Sequence, residues 1–136
     1  MKDIERIIKL LVNTHETSNP FKLAKALKIK IVYENLGSIL GYYSKTHRTK
    51  VIHINQNLNK KGQEFVCAHE LGHAIQHANS NTSFLKKHTL FSTDKLEQQA
   101  NLFAIYLLFH KSDLECTMID SALYEYHIPE ELLENF

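Results

Sequence analysis

Arginine is nearly absent from this 136-residue chain: Arg6 and Arg48 are the only two. The planar fork that grips phosphate or guanine through paired hydrogen bonds is therefore almost missing. A formal net charge of +1 supplies no broad basic field either. Both features argue against direct nucleic-acid binding as the main activity. Cysteine is equally scarce. Cys67 and Cys116 have neither a metal-binding nor a redox spacing, and so Cys-poor a chain suggests no disulfide framework. Long apolar runs are lacking as well. The run Phe103 to Phe109 falls far short of the ~20 residues that span a bilayer. The N-terminus, Met1-Lys2-Asp3-Ile4-Glu5-Arg6, mixes acids and bases and leads into no apolar stretch, so no signal peptide is expected. With no membrane segment and no leader, the chain reads as cytoplasmic.

What is present is ordinary globular composition, 43% hydrophobic and 23% charged, without repeats or low-complexity tracts. The length suits a single domain over residues 1–136, with a modest core of its own. Ile4, Ile7, Ile8 and Leu11 fall on one helical stripe. Ser18-Asn19-Pro20 ends that helix and starts another, with Leu23, Ala24 and Leu27 facing inward. Ile29, Ile31 and Tyr33 alternate with Lys30, Val32 and Glu34, a strand pattern. Tyr42-Tyr43 and Val51-Ile52-His53-Ile54 read as two further strands, with the polar stretch from Ser44 to Lys50 as the hairpin loop. A helix is expected from about Asn59 to about His77, and an apolar one from about Asp94 to Phe109. Short helices around Pro129 would complete an α+β order of elements.

The chemistry lies in His69-Glu70-Leu71-Gly72-His73. On an α-helix, positions four apart return to nearly the same face, about 6 Å along the axis. His69 and His73 thus present two imidazoles that one metal ion can bridge. Glu70 lies one step round, beside the metal and not on it. Two nitrogen ligands, an open position for water and a carboxylate to take that water's proton are what a zinc hydrolase requires. Gly72 weakens the helix by about 1 kcal/mol relative to alanine, which implies that something packs closely there. Cys67 lies about 200° round from His69 and belongs to the core.

Five residues alone are a common pattern, and the site needs a third ligand. His77 is nearest in sequence. Along an unbroken helix, however, it lies about 12 Å from His69, whereas zinc–nitrogen bonds are about 2.1 Å. A supporting or surface position suits it better. Glu97 opens the later apolar helix, and Asn101 shares its face, where it could hydrogen-bond a ligand. Ala100 and Ala104 form a small-residue stripe that permits close helix approach. A plainer reading of Glu97 also exists: Asp94 and Glu97 have the spacing of a helix cap.

These segments together resemble the ImmA/IrrE family of zincin-type metallopeptidases. Pro20 to Leu27 followed by Ile29 to Tyr33 is similar to its N-terminal helix and first strand. Gly41-Tyr42-Tyr43 and Val51 to Asn55 are similar to its next strands, Phe65 to His77 to its metal-binding helix, and Glu97 to Leu108 to the helix of the third ligand. The resemblance covers roughly residues 18 to 110. The run Leu107-Leu108-Phe109-His110 departs from the Leu-Leu-Met-Pro type ending of many members, and the extra C-terminal domains of larger members are not expected. The resemblance implies a zincin-like domain with a small three-stranded sheet against the metal-binding helix. It further implies Zn2+ held by His69, His73 and Glu97, with Glu70 as general base and Asn101 and His77 in support. The implied activity is an endopeptidase that cleaves a helix-turn-helix transcriptional repressor and so derepresses a prophage or mobile element. Two alternatives are a non-cleaving anti-repressor that sequesters the repressor and a metal-dependent hydrolase of another substrate. An exposed sheet edge at Tyr42 to Ser44 is expected to hold the peptide. His88, Tyr42, Tyr43 and Tyr106 are the candidates to stabilise the oxyanion.

Overall fold

The computed structural model describes residues 2–80, 82, 84–86 and 92–109. Its elements run α1 (Lys2–His15), α2 (Pro20–Ala26), β1 (Ile29–Glu34), β2 (Gly41–Thr46), β3 (Thr49–Asn55), α3 (Lys60–Gln76) and α4 (Lys95–Leu108). This is the expected α+β order. His88 and the tail expected to hold short helices around Pro129 lie outside the described residues.

Local chemistry sets the boundaries. Asn19 caps α2, its side chain accepting from the backbone N–H groups of Phe21 and Lys22, and Pro20 occupies the first turn, where its missing N–H leaves no hydrogen bond unmade. Asn59 caps α3 by accepting from Gly62 N–H. Asp94 caps α4 by accepting from Leu96 N–H.

The sheet has the order β1-β3-β2, with β1 parallel to β3 and β2 antiparallel to it. The expected hairpin loop is too long: Ser44, Lys45 and Thr46 pair with Val51, Lys50 and Thr49. Only His47 and Arg48 remain for the turn, His47 with φ of 52°. The polar run misled because these residues line a solvent-facing ribbon. Ser44 Oγ lies 2.9 Å from His53 Nε2, and His53 Nδ1 lies 2.7 Å from Glu34 Oε1. This polar chain ties all three strands together.

Because β2 lies across β3 from β1, the segment between β1 and β2 must pass over the end of β3. Buried Asn55 holds that crossing, donating from its side-chain amide to the carbonyls of Gly37 and Ile39. The inner face of the sheet packs on α3, which also meets α2 and α4. Residues 65–74 of α3 are all buried. A helix enclosed on every side is normally apolar throughout, so the two histidines and one glutamate in this stretch stand out.

Gly41 lies where β2 crosses α3. A Cβ there would run into Val66 Cγ1 and come within 2.7 Å of the backbone oxygen of His53. Backbone oxygen cannot swing aside, so Gly41→Ala is expected to lower stability by about 1–3 kcal/mol, the usual range for overpacking. Chemical denaturation tests this, and an unchanged midpoint would contradict the close approach.

Candidate metal centre

The segment from His69 to His73 lies in the buried middle of α3, with His69, Glu70 and His73 fully enclosed. On α4, Glu97 and Asn101 are each only 3% exposed and face the same space. The approach of the two helices explains Gly72: a Cβ there would meet Phe103 at 3.0–3.1 Å. The tight contact expected from an interior helical glycine is therefore present, and Phe103 is its partner.

The side chains converge. His69 Nε2 is 3.2 Å from Glu97 Oε1, and His73 Nε2 is 2.9 Å from Glu97 Oε2. Ligands at about 2.0–2.1 Å around a tetrahedral zinc ion are separated by about 3.4 Å from one another, close to the spacing of these atoms. The carboxylate of Glu70 borders the same space, with Oε2 3.9 Å from His69 Nε2. His69, Glu70 and His73 can each offer a ligand atom within 4.8 Å of the others, but Glu97 makes the shorter approaches. Glu97 is not acting as a capping-box residue. Asp94 N–H bonds to Ser92 Oγ, while the Glu97 carboxylate turns to the imidazoles.

Hydrogen bonding at His69 tests whether a cation fits. Its Nδ1 lies 2.8 Å from Asn101 Oδ1, an oxygen that can only accept, so Nδ1 carries the proton. Burial pushes the imidazole's pKa below its ordinary value, which favours the neutral ring and leaves Nε2 a bare lone pair. That lone pair faces a carboxylate oxygen, acceptor against acceptor. A cation between them satisfies both.

Electrostatics agree with this donor set. Burial raises the Glu97 carboxyl, but the facing imidazoles, when they carry a proton on Nε2, outweigh it and hold the pKa at about 2; a cation in that proton's place acts in the same direction. Glu97 also lies in the first turn of α4, where the helix dipole favours negative charge. Burial, with the charge of Glu97 added, drives Glu70 well above the usual carboxyl range. Both its oxygens are buried without a hydrogen-bond partner. A neighbouring divalent cation reverses that preference.

His77 ends α3 as its C-cap and is buried. Its Nδ1 lies 3.0 Å from His73 Nδ1, and its Nε2 lies 2.7 Å from Gln99 Oε1. It therefore touches a histidine of the site through the ring atom that faces away from Glu97. Gln99 was not anticipated. It lies about 200° round α4 from Glu97, off the face that Glu97 and Asn101 share, and no sequence spacing marks it. Cys67 is buried, as expected, and burial pushes its thiol far above the usual range.

The tyrosines separate cleanly. Tyr42 stacks on His53 at a centroid distance of 4.0 Å, on the sheet face turned away from α3. Tyr106 bonds with Glu5 of α1. Tyr43 faces inward and is buried, with no partner for its hydroxyl.

The unpartnered carboxyl of Glu70 has a consequence for stability. A buried polar group without a partner costs about 1–3 kcal/mol. Glu70→Leu is therefore expected to raise the melting temperature of chelator-treated protein. A lower melting temperature would contradict the unsatisfied state of this side chain.

Residues 24–132 match the family described as the IrrE N-terminal-like domain. The chain is 46% identical over 106 residues to "Uncharacterized immunity region protein 2" of Bacillus phage phi105, a match covering 77% of this chain and 67% of that protein. It is 38% identical over 109 residues to "Metallopeptidase ImmA" of Bacillus subtilis (strain 168), covering 79% of this chain and 63% of that protein. The chain thus spans about two thirds of the length of these relatives. The sequence match and the two-helix site agree: this chain belongs to the ImmA/IrrE family of metallopeptidases.

Proposed function

We propose that this protein is a cytoplasmic zinc-dependent endopeptidase, with His69, His73 and Glu97 holding the metal and Glu70 serving as general base. The observation that carries this reading is the convergence of two imidazole nitrogens and one carboxylate beside a second carboxylate that has no partner of its own. A purely structural zinc site has no use for that second acid. No helix among the described residues is long and apolar enough to cross a membrane, which is compatible with action in the cytoplasm.

Bound zinc would supply a Lewis acid, lowering the pKa of water from 15.7 toward ~7 and polarising the scissile carbonyl. Glu70 would take a proton from the attacking water and pass it to the leaving amine, a role that typically contributes about 10²–10⁴-fold. Asn101 holds His69 with its Nε2 bare. Burial of the site keeps bulk water from competing with these contacts.

Strand β2 is suited to present the peptide. It runs from Gly41, which abuts Val66 of α3, to Lys45, whose amine lies 3.1 Å from Asn79 Oδ1 just beyond the end of that helix. Leu85 pairs with the edge at Gly41, so peptide addition falls to Tyr43 and the residues beyond it. A groove of about 510 Å³ lies along this stretch, lined by Tyr43, Ser44, Lys45, His47, Asn79 and Phe84 among others. One relative is named for a phage immunity region and the other as a metallopeptidase. These names support a substrate in phage immunity control, and we take it to be a helix-turn-helix repressor whose cleavage derepresses a prophage or mobile element.

The test pairs the purified protein with the helix-turn-helix repressor encoded nearest its gene. Wild type is expected to release repressor fragments, whereas Glu70→Gln keeps its zinc and releases none. Glu97→Ala is expected to lose most of its zinc. A stable complex with no fragments from either protein would overturn cleavage in favour of sequestration.

A further inference from the structure

Each histidine of the proposed centre must present a bare Nε2, and a neutral imidazole carries its one proton on either nitrogen. For His69 the choice is made directly by Asn101 Oδ1. His73 has no such oxygen at its Nδ1. What it meets, 3.0 Å away, is another imidazole nitrogen, Nδ1 of His77. Two ring nitrogens facing each other leave the polarity of that hydrogen bond undecided. His73 either donates and exposes a bare Nε2, or accepts and carries a proton on Nε2, where it blocks the ligand atom.

The far side of His77 resolves the choice. Its Nε2 lies 2.7 Å from Gln99 Oε1, and a carbonyl oxygen can only accept. Nε2 of His77 is therefore the protonated nitrogen, and in the neutral ring Nδ1 is bare. Nδ1 then accepts from His73 Nδ1–H. His73 Nε2 is left as a lone pair directed at Glu97, 3.1 Å from Oε1. Oxygens stand at both ends of this chain, Glu97 at His73 Nε2 and Gln99 at His77 Nε2; with a cation taken between His73 Nε2 and the Glu97 carboxylate, the bonds run in one direction, toward Gln99.

We propose that Gln99 is a positioning residue of the metal centre, its side-chain carbonyl fixing the tautomer of His77 and, through it, baring Nε2 of His73 for the metal. This inference rests on the metallopeptidase reading. It also accounts for burying His77 at the end of α3, where it is too far from His69 to be a ligand. The two imidazoles thus receive the same instruction by routes of different length, Asn101 acting in one step and Gln99 in two. Both routes start from α4, the helix that carries Glu97, so a single helix supplies the third ligand and orients the other two. A neutral amide suits position 99 because Glu70 and Glu97 already place two carboxyl groups in the site.

Replacement at Gln99 tests this without emptying the core, because its side chain is half-exposed. Gln99→Met fills a similar volume without the carbonyl, and Gln99→Glu keeps an oxygen acceptor. In metal-free wild type, nitrogen–proton correlation spectra of the histidine rings are expected to show protonated Nδ1 on His73 and protonated Nε2 on His77. Gln99→Met is expected to give mixed tautomers. Its zinc affinity, measured by competition with a chromophoric chelator, should fall about 10–100-fold, as for other groups that orient a ligand. Gln99→Glu is expected to restore single tautomers and wild-type affinity. A side chain that merely packs would make Gln99→Met silent in both measurements, and that result overturns the proposal, as does a Gln99→Glu variant as weak as Gln99→Met. Tight zinc binding by wild type and Gln99→Met alike overturns this inference alone. Failure of wild type to bind zinc overturns the metallopeptidase reading with it.

Discussion

The close approach of α3 and α4 at Gly72 and Phe103 is the contact on which the site depends. His77 meets Gln99 at one end of the contact while His69 meets Asn101 further along. Ala100 and Ala104 are wholly buried, keeping that side of α4 thin. With a methyl group at position 72, Phe103 would have to give by a few tenths of an ångström, in the very helix that carries Glu97. The glycine sacrifices about 1 kcal/mol of helix propensity to keep a carboxylate within reach of two imidazoles.

The second consequence is electrostatic. Enclosing His69, Glu70, His73 and Glu97 withdraws polar groups from water, which is unfavourable unless they find partners. Most of them do: Asn101 serves His69, His77 serves His73, and the Glu97 carboxylate lies where a cation shared with the two imidazoles would satisfy all three. Glu70 is the exception. An unsatisfied group at the centre of an otherwise satisfied cluster is a local loss of stability, and such losses gather where chemistry is done. The sheet is involved through the rigid backing that its inner face gives to α3. Strand β2, held flush against that helix by Gly41, brings an edge alongside the motif.

Much of this was legible in the order of residues. Spacing alone placed His69 and His73 on one face, and an interior glycine announced the contact that Phe103 supplies. The shared face of Glu97 and Asn101 followed from a four-residue step, and the structure brings both to the histidines. Other features lie beyond what periodicity can carry. Ser44 to Thr46 look like loop because polar residues on a solvent-facing ribbon have the same composition as a turn. Asn55 gave no sign that it holds the crossing between β1 and β2, since a buried amide is recognisable only from the carbonyls it meets. Gln99 sits off the functional face of its own helix and acts through a residue from another. Tyr42 and Tyr106 were plausible donors by type, but strand alternation turns one away from α3 and helix rotation turns the other toward α1.

X-ray absorption at the zinc edge of the purified protein tests the central claim most directly, because it reports the ligand atoms themselves. The account predicts a first shell of nitrogen and oxygen at about 2.0–2.1 Å with the scattering signature of two imidazoles. A sulfur shell at about 2.3 Å, or a signature of three imidazoles with His77 in place of Glu97, would contradict it.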